Sequence, residues 1–444
     1  MQTSLFTYRD IWKISYPIII GLVAQNIMLV IDTAFLGRVS EVTLGAAAIG
    51  GVFYLCLVML GTGFAVGAQI MIGRRNGEMR LSEIGSIFDH AQLVLAIVAI
   101  MLWFILHYLA PAFLQHFISS EAILHESLAF ISYRKYGLLF GFLVLGFNGL
   151  YIGNTQTKVL SLSTFVMATI NIVLDYVLIF GHYGFPEMGI AGAALATNIA
   201  EFCTFVFYIS WVFLRKDHLR FRLFHLRKIN RELLDSLLSL SVPVMFQYFF
   251  SFSAWFIFFL IIEQIGETAL AASNITRSIY MVLMIPVWGL SASVNTLVSN
   301  TIGRGRQDLV VPLILRVLVI GVAINLLLIQ IIIFFPHPII RFYTDSPQLI
   351  EATLPLLRVI SMAMIAFSVG MILFNGLSGT GKTMLALKIE ILCIIFYLLT
   401  TLILAVGFNA PANVVWMVEV VYFSVMGLFA FIALKRGNWK ELQL

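Results

Sequence analysis

Charge is what this 444-residue chain has least of: only 11% of its residues are Asp, Glu, Lys or Arg. Soluble domains carry roughly 25%. With 61% of the residues hydrophobic, that shortage excludes a large soluble core and leaves a membrane protein. Cysteine is also scarce. Cys56, Cys203 and Cys393 each lie inside an apolar run far from the others. No disulfide framework or thiolate metal spacing follows, and they read as buried free thiols. The eight histidines are scattered as well. His218 and His225 share a basic loop, which reads as a solvated loop rather than a metal site. Period-two alternation is missing, and the apolar runs are too long for barrel strands. What is plentiful is Phe, 38 residues against 15 Tyr and 7 Trp, a bias that suits lipid-facing helix surfaces.

The apolar runs fall at roughly 15–38, 44–73, 87–115, 122–151, 157–181 and 189–214, then at 233–263, 268–300, 309–335, 348–376, 383–407 and 413–434. Each can cross ~30 Å of hydrocarbon at ~1.5 Å per residue. The pattern predicts an all-α integral membrane protein of twelve transmembrane helices. Arg9 and Lys13 precede a first run of more than 20 residues with no small-residue cleavage site. It is expected to be an uncleaved first span rather than a signal peptide.

Basic residues alternate across the loops. Arg74, Arg75 and Arg80 follow the second span, Lys158 the fourth, Arg304 and Arg306 the eighth, and Lys382 the tenth. Lys435, Arg436 and Lys440 follow the last. The opposite loops hold few, Arg38 and Arg341 being the main exceptions. The positive-inside rule places both termini in the cytoplasm, and a bacterial inner membrane is the expected location. The longest polar gap, Arg215 to Glu232, carries Arg215, Lys216, Arg220, Arg222, Arg227, Lys228 and Arg231. On the cytoplasmic side such a run is expected to lie against anionic headgroups rather than bind nucleic acid.

The gap separates two related halves. Sliding the chain by 226 residues pairs Pro17 with Pro243, Glu41 with Glu267, Tyr54 with Tyr280, Gly63 with Gly289 and Arg80 with Arg306. With a one-residue shift, Phe147–Leu150 matches Phe374–Leu377. The expected domains are an amino-terminal lobe at 1–214, a basic linker at 215–232 and a carboxy-terminal lobe at 233–444. Six helices per half is an even number, so both halves run the same way. They form two pseudo-symmetric six-helix bundles with a central cavity expected between them.

A few polar residues interrupt the apolar spans. Asp32 lies about two-thirds of the way along the first, where a carboxylate costs roughly 2.5–3.5 kcal/mol on insertion scales. Alone it carries no function, because a carboxylate near a helix end can reach the headgroups. It does not stand alone. Asn171 and Asp175 are four residues apart on the fifth span and share a face. Thr197 and Glu201 do the same on the sixth, with Asn198 between them, and Gln25 lies seven residues before Asp32. At the repeat offset Asp32 faces Phe258, and 171 and 175 fall near Tyr397 and Thr401. A purely structural network would have survived duplication more evenly, so the first half is expected to hold a functional site. Two carboxylates in low dielectric cannot both stay ionised without a cation. Either a proton is taken up, or Na⁺ is held by Asp32, Asp175, the Asn171 carbonyl and the Thr197 hydroxyl, all hard oxygen ligands.

Pro17 with Asp32-Thr-Ala-Phe-Leu-Gly37, Asn171-x-x-x-Asp175, the run from Gly189 to Thr197 and the Gly-rich ends of the second and eighth spans together resemble the multidrug and toxic compound extrusion (MATE) transporters. The resemblance covers the whole chain and looks closest to the DinF-type branch. It implies that Asp32, Asn171, Asp175 and Thr197 form an amino-terminal proton or sodium site, with Tyr136 and Asn148 as neighbours. The acidic residue that the NorM-type branch places on the seventh span has no counterpart, since Glu263 sits too near the helix end. The implied substrates are amphipathic organic cations or other toxic small molecules, exported against H⁺ or Na⁺.

The second half carries Arg277, Arg358, Glu390 and Glu419 inside its spans. Arg358 matches Arg134 in the repeat and reads as structural. Arg277, Glu390 and Glu419 are candidates for a substrate cavity, and the glutamates could equally pair with the arginines. Gly376 to Thr383 spells G-x-x-x-x-G-K-T. A phosphate loop needs a preceding strand and a soluble α/β domain, whereas here membrane helices flank it, so it reads as a glycine turn with a lysine facing the cytoplasm. The expectation is therefore a monomeric antiporter without enzymatic activity or a bound cofactor. A lipid-linked sugar flippase of the same superfamily is the first alternative and a nucleotide-driven pump the second.

Overall fold

The computed structural model describes residues 6–118, 120–225, 228–437 and 439–440. Among the described residues there are helices and turns and no strand. Among the described residues eleven helices are long and apolar enough to cross a membrane, and a bent pair, counted as one span, makes twelve. In the first half they are α1 (Tyr8–Val39), α2 (Glu41–Gly77), α3 (Leu81–His116), the pair α4 (Glu121–Arg134) and α5 (Gly137–Gly153), α6 (Lys158–Phe180) and α7 (Gly189–Leu214). A short helix, α8 (Asp217–Phe221), lies in the linker. The second half contains α9 (Arg231–Glu263), α10 (Glu267–Gly303), α11 (Gln307–Phe334), α12 (Pro347–Gly379), α13 (Thr383–Gly407) and α14 (Ala412–Arg436).

Local chemistry sets the helix ends. Ser40 is extended, and its hydroxyl accepts from the Thr43 N–H at 3.0 Å. That caps α2, and Glu41 then sits in the first turn, where the helix dipole favours an anion. Gly181 takes a φ of 71° to end α6, a conformation that costs glycine little. The fourth span is not one helix: α4 and α5 meet at 56° across Lys135 and Tyr136. Its counterpart α12 runs unbroken despite Pro355.

The repeat is visible in the helices themselves. α2 and α10 are both 37 residues long, and their bounds are offset by 226 at each end. The compact units, however, do not divide at the linker. Ile20–Met245 forms one unit, and the residues up to Ile19 together with those from Phe246 onward form the other. Both divisions fall inside helices, two residues after Pro17 and Pro243. Each proline lacks an N–H and crowds the carbonyl four residues earlier, which leaves α1 and α9 without a backbone bond at these points.

The linker's basic side chains are exposed from Arg215 through Arg222, apart from its buried apolar and acidic residues. Arg227 lies outside the described residues. The linker does not simply lie on a surface. Phe221 and Leu223 are buried, and the Asp89 carboxylate accepts from the N–H groups of Phe224 (2.9 Å) and His225 (2.7 Å). The Tyr151 hydroxyl donates to buried Asp217 at 3.0 Å. Burial pushes the Asp217 carboxyl up from its ordinary value, and the Tyr151 bond works against that. Gly85 makes the docking possible, since a Cβ there would strike the carbonyl oxygens of Phe221 and Arg222.

Candidate functional site: a carboxylate pair bridged by an amide

The four site residues predicted from the sequence come together in the first unit. α1 supplies Asp32, α6 supplies Asn171 and Asp175, and α7 supplies Thr197. α6 and α7 pack closely along their length. That packing follows from Gly192, whose missing Cβ lets the backbone of Leu178 and Ile179 approach. Asn171 and Asp175 are 0% exposed.

The Asn171 side chain is the bridge. In one amide orientation its nitrogen donates to Asp32 Oδ1 at 2.9 Å and to Asp175 Oδ2 at 3.3 Å, while its oxygen accepts from Thr197 Oγ1 at 3.2 Å. In the other, the nitrogen donates to Thr197 Oγ1 at 3.2 Å, and the Thr197 hydroxyl donates to the Ala193 carbonyl at 2.9 Å. The first orientation suits two ionised carboxylates, which can only accept. The second turns the amide oxygen toward both carboxyl groups and needs a carboxyl hydrogen between them. The amide orientation therefore depends on how many protons the pair holds. Asp175 Oδ1 is buried and makes no hydrogen bond. A buried oxygen left so is costly, and a proton or a hard cation is what it lacks. All the donors are oxygens, the ligand type that Na⁺ takes and soft metals avoid.

A second group lies beside the pair. Arg134 forms a two-pronged ion pair with Glu201, at 2.8 Å and 2.5 Å. It also donates to Asn198 Oδ1 at 2.8 Å, and its guanidinium lies 4.4 Å over the Tyr54 ring. Asn198 in turn donates to the Tyr133 carbonyl at 2.7 Å. Arg134 acts electrostatically on Asp32, but its hydrogen bonds go elsewhere. Glu201 is thus committed to Arg134 and is not free to share a cation with the aspartates. The sequence carried one signal for this pair: Arg134 and Glu201 are opposite charges inside spans of the same half.

Three expected neighbours take no part in the hydrogen bonds of the cluster. Asn148 Oδ1 accepts from the Tyr208 hydroxyl at 2.6 Å, and Tyr208 also bonds Ser163 at 2.7 Å. Tyr136 is 59% exposed at the α4–α5 break, with its ring 6.1 Å from Trp103. Gln25 is exposed on α1. Helical spacing placed it on a face similar to that of Asp32, but two turns of helix carry it away from the buried group.

In the second unit the equivalent positions meet, without charge. Phe258 is buried, with its ring 5.5 Å from Tyr397 and 5.3 Å from Trp416, where the first unit has Asp32 beside Asn171. The glutamates do not pair with arginine: Arg277 sits 4.9 Å over the Phe259 ring and Arg358 is exposed. Glu390 and Glu419 bond tyrosine hydroxyls instead. The G-x-x-x-x-G-K-T stretch runs from the end of α12 through a turn, with Gly381 at a φ of 95°, into the start of α13. No strand precedes it, so it is a helix–turn–helix connection and not a phosphate loop.

Comparison with known proteins agrees with this architecture. The chain is 26% identical over 384 residues to a Thermotoga maritima protein named probable multidrug resistance protein NorM, covering 85% of this chain and 81% of that one. It is 25% identical to the multidrug resistance protein NorM of Photobacterium profundum, covering 77% and 75% of the two chains. Among solved structures, an outward-facing multidrug resistance MATE family transporter of the MOP superfamily superposes with a TM-score of 0.90 at 18% identity, covering 97% of this chain and 95% of that one. A MOP superfamily transporter from Pyrococcus furiosus gives 0.89 at 19% identity with the same coverage. The MatE family's sequence pattern matches twice, at residues 17–177 and 243–403, two stretches that begin 226 residues apart as the internal repeat requires. This multi-pass membrane protein belongs to the MatE family of transporters.

Proposed function

We propose that the chain is a secondary active exporter of amphipathic organic cations, driven by inward movement of H⁺ or Na⁺ through the Asp32–Asn171–Asp175–Thr197 cluster. The observation that carries this reading is the buried Asp175, with one oxygen unbonded, while Arg134, which acts on Asp32, is already held by Glu201. An ion that binds there with high occupancy from one side and leaves to the other can drive a cycle. Substrate enters from the cytoplasm and the protein turns outward. The ion then reaches the pair, the Asn171 amide reorients, and substrate leaves. Asp32 lies toward the outer end of α1, opposite the basic loops, so the ion arrives from outside. The relatives named for multidrug resistance support efflux as the direction and toxic small molecules as the cargo.

The same reading places the chain in a bacterial inner membrane with both termini cytoplasmic, working as a monomer without cofactor or catalytic activity. A lipid-linked sugar flippase would need several cations lining its path, and in the second unit Arg358 is exposed while Arg277 is stacked on Phe259. The test is reconstitution into proteoliposomes with pH and Na⁺ gradients imposed separately. A gradient of one ion alone is expected to drive uptake of a fluorescent organic cation into inside-out vesicles. Transport at one rate with either gradient or with none would overturn the proposal.

A further inference from the structure

The second unit has lost the aspartates but not its buried acids. Glu390 on α13 is 2% exposed and Glu419 on α14 is 3% exposed. Each is held by hydroxyl groups. Tyr397 donates to Glu419 Oε1 at 2.8 Å, and Tyr422 donates to Glu390 Oε1 at 2.7 Å. Ser251 on α9 also bonds Glu390 Oε1. The Tyr397 and Tyr422 rings lie 5.1 Å apart, which joins the two acids and their hydroxyls into one cluster.

The cluster is short of hydrogen. Glu390 Oε2 is buried and unbonded, and so is Gln247 Oε1. Gln247 lies four residues before Ser251 on the same face of α9, and Ser251 also bonds the Gln247 main-chain carbonyl at 2.8 Å. The buried Tyr280 hydroxyl lies beside Glu419 as a further donor, so the shortage is at Glu390. The titratable groups facing the glutamates are Cys393 and Tyr397 from α13, Tyr280 from α10, and Tyr422 from α14, which acts on both acids. Among the described residues no Lys, Arg or His forms an ion pair with either acid. Two ionised carboxylates so buried, with no cation, are the most expensive arrangement open to them.

We infer that Glu390 and Glu419 form a second proton-binding site, separate from the aspartate pair and not its repeat counterpart. A proton on Glu390 neutralises one acid and gives Oε2 a hydrogen to donate. The hydroxyls of Tyr397 and Tyr422 already point their hydrogens at the carboxylates, while the one Ser251 hydrogen cannot serve both the Gln247 carbonyl and Glu390 Oε1, so the unfilled need is a proton rather than a further oxygen-coordinated metal ion. The site stands whether or not the first cluster couples transport.

Infrared difference spectroscopy of the full chain in lipid nanodiscs tests this directly. An Asp32→Asn/Asp175→Asn background silences the first pair. Raising the pH is expected to remove a carboxylic-acid carbonyl band, with Glu390→Gln abolishing that band and Glu419→Gln moving the pH at which it disappears. Tyr422→Phe leaves both acids in place and is expected to move the pH at which the band disappears, so the proposal remains testable if a Gln variant fails to fold. Unchanged spectra in the Gln variants, no movement with Tyr422→Phe, or a band that Na⁺ removes at constant pH would each overturn it.

Discussion

Asn171 is the one amide in the first cluster, with a donating end and an accepting end that can exchange places, and the geometry depends on this. An amide placed between two carboxylates can follow their charge by turning over, which neither Ala nor Asp could do. The sequence showed this much because an acid inside an apolar span is costly and a four-residue spacing puts Asn171 and Asp175 on one face. It did not show which partners Tyr136 and Asn148 take, or that Gln25 is exposed. Their positions depend on how each helix is rotated about its axis, which packing decides. Nor did it show that Arg134 reaches Glu201, 67 residues away. That pair is nearly buried at both ends, 8% exposed in each case. Arg134→Ala leaves Glu201 an unpaired buried charge and is expected to destabilise the protein by about 3–5 kcal/mol. Arg134→Met combined with Glu201→Leu removes both charges and is expected to cost far less. Unfolding of the purified variants in detergent checks both, and equal losses would show that the ion pair is not what holds α4 to α7.

At the scale of elements, twelve spans and their approximate ends were legible because apolar runs and loop charge repeat so regularly. The break in the fourth span was not. Prolines did not mark it: Pro355 sits inside an unbroken α12, while α4 bends at Lys135 and Tyr136, just where Arg134 turns in to Glu201. The linker was legible as basic, but not as docked, because Asp89 and Gly85 act on it from more than a hundred residues away. Close helix contacts follow the small residues. A Cβ at Gly63 on α2 would lie 2.6 Å from Met245 Cα on α9, a backbone atom that cannot move aside. Gly63→Ala is therefore expected to cost about 1–3 kcal/mol, read as a lower thermal midpoint. Leu162→Ala, at an exposed position on α6, is the control and is expected to leave the midpoint nearly unchanged. Equal midpoints for the two variants would show that the close approach of α2 to α9 is not what Gly63 provides.

For the whole molecule, the repeat offset of 226 appears in the sequence, in the bounds of α2 and α10, and in the two family matches. Duplication kept the frame and let the chemistry diverge. One unit holds an aspartate pair, while the other places Phe258, Tyr397 and Trp416 in contact at the corresponding level and carries its acids elsewhere. The linker is the visible midpoint of the sequence, but the compact units divide after Pro17 and Pro243, a boundary that composition alone does not mark. The glycine–lysine turn after α12 connects two helices and lacks the strand that a phosphate loop requires. Lys382→Ala is expected to keep full transport and the purified chain to show no ATP hydrolysis; loss of transport with ATPase activity in the wild type would reverse that assignment.

If the aspartate pair carries the coupling ion, cells expressing Asp32→Asn or Asp175→Asn at wild-type levels lose gradient-driven extrusion of a fluorescent organic cation while the protein remains folded. Extrusion at the wild-type rate in both variants would show that the ion takes another route.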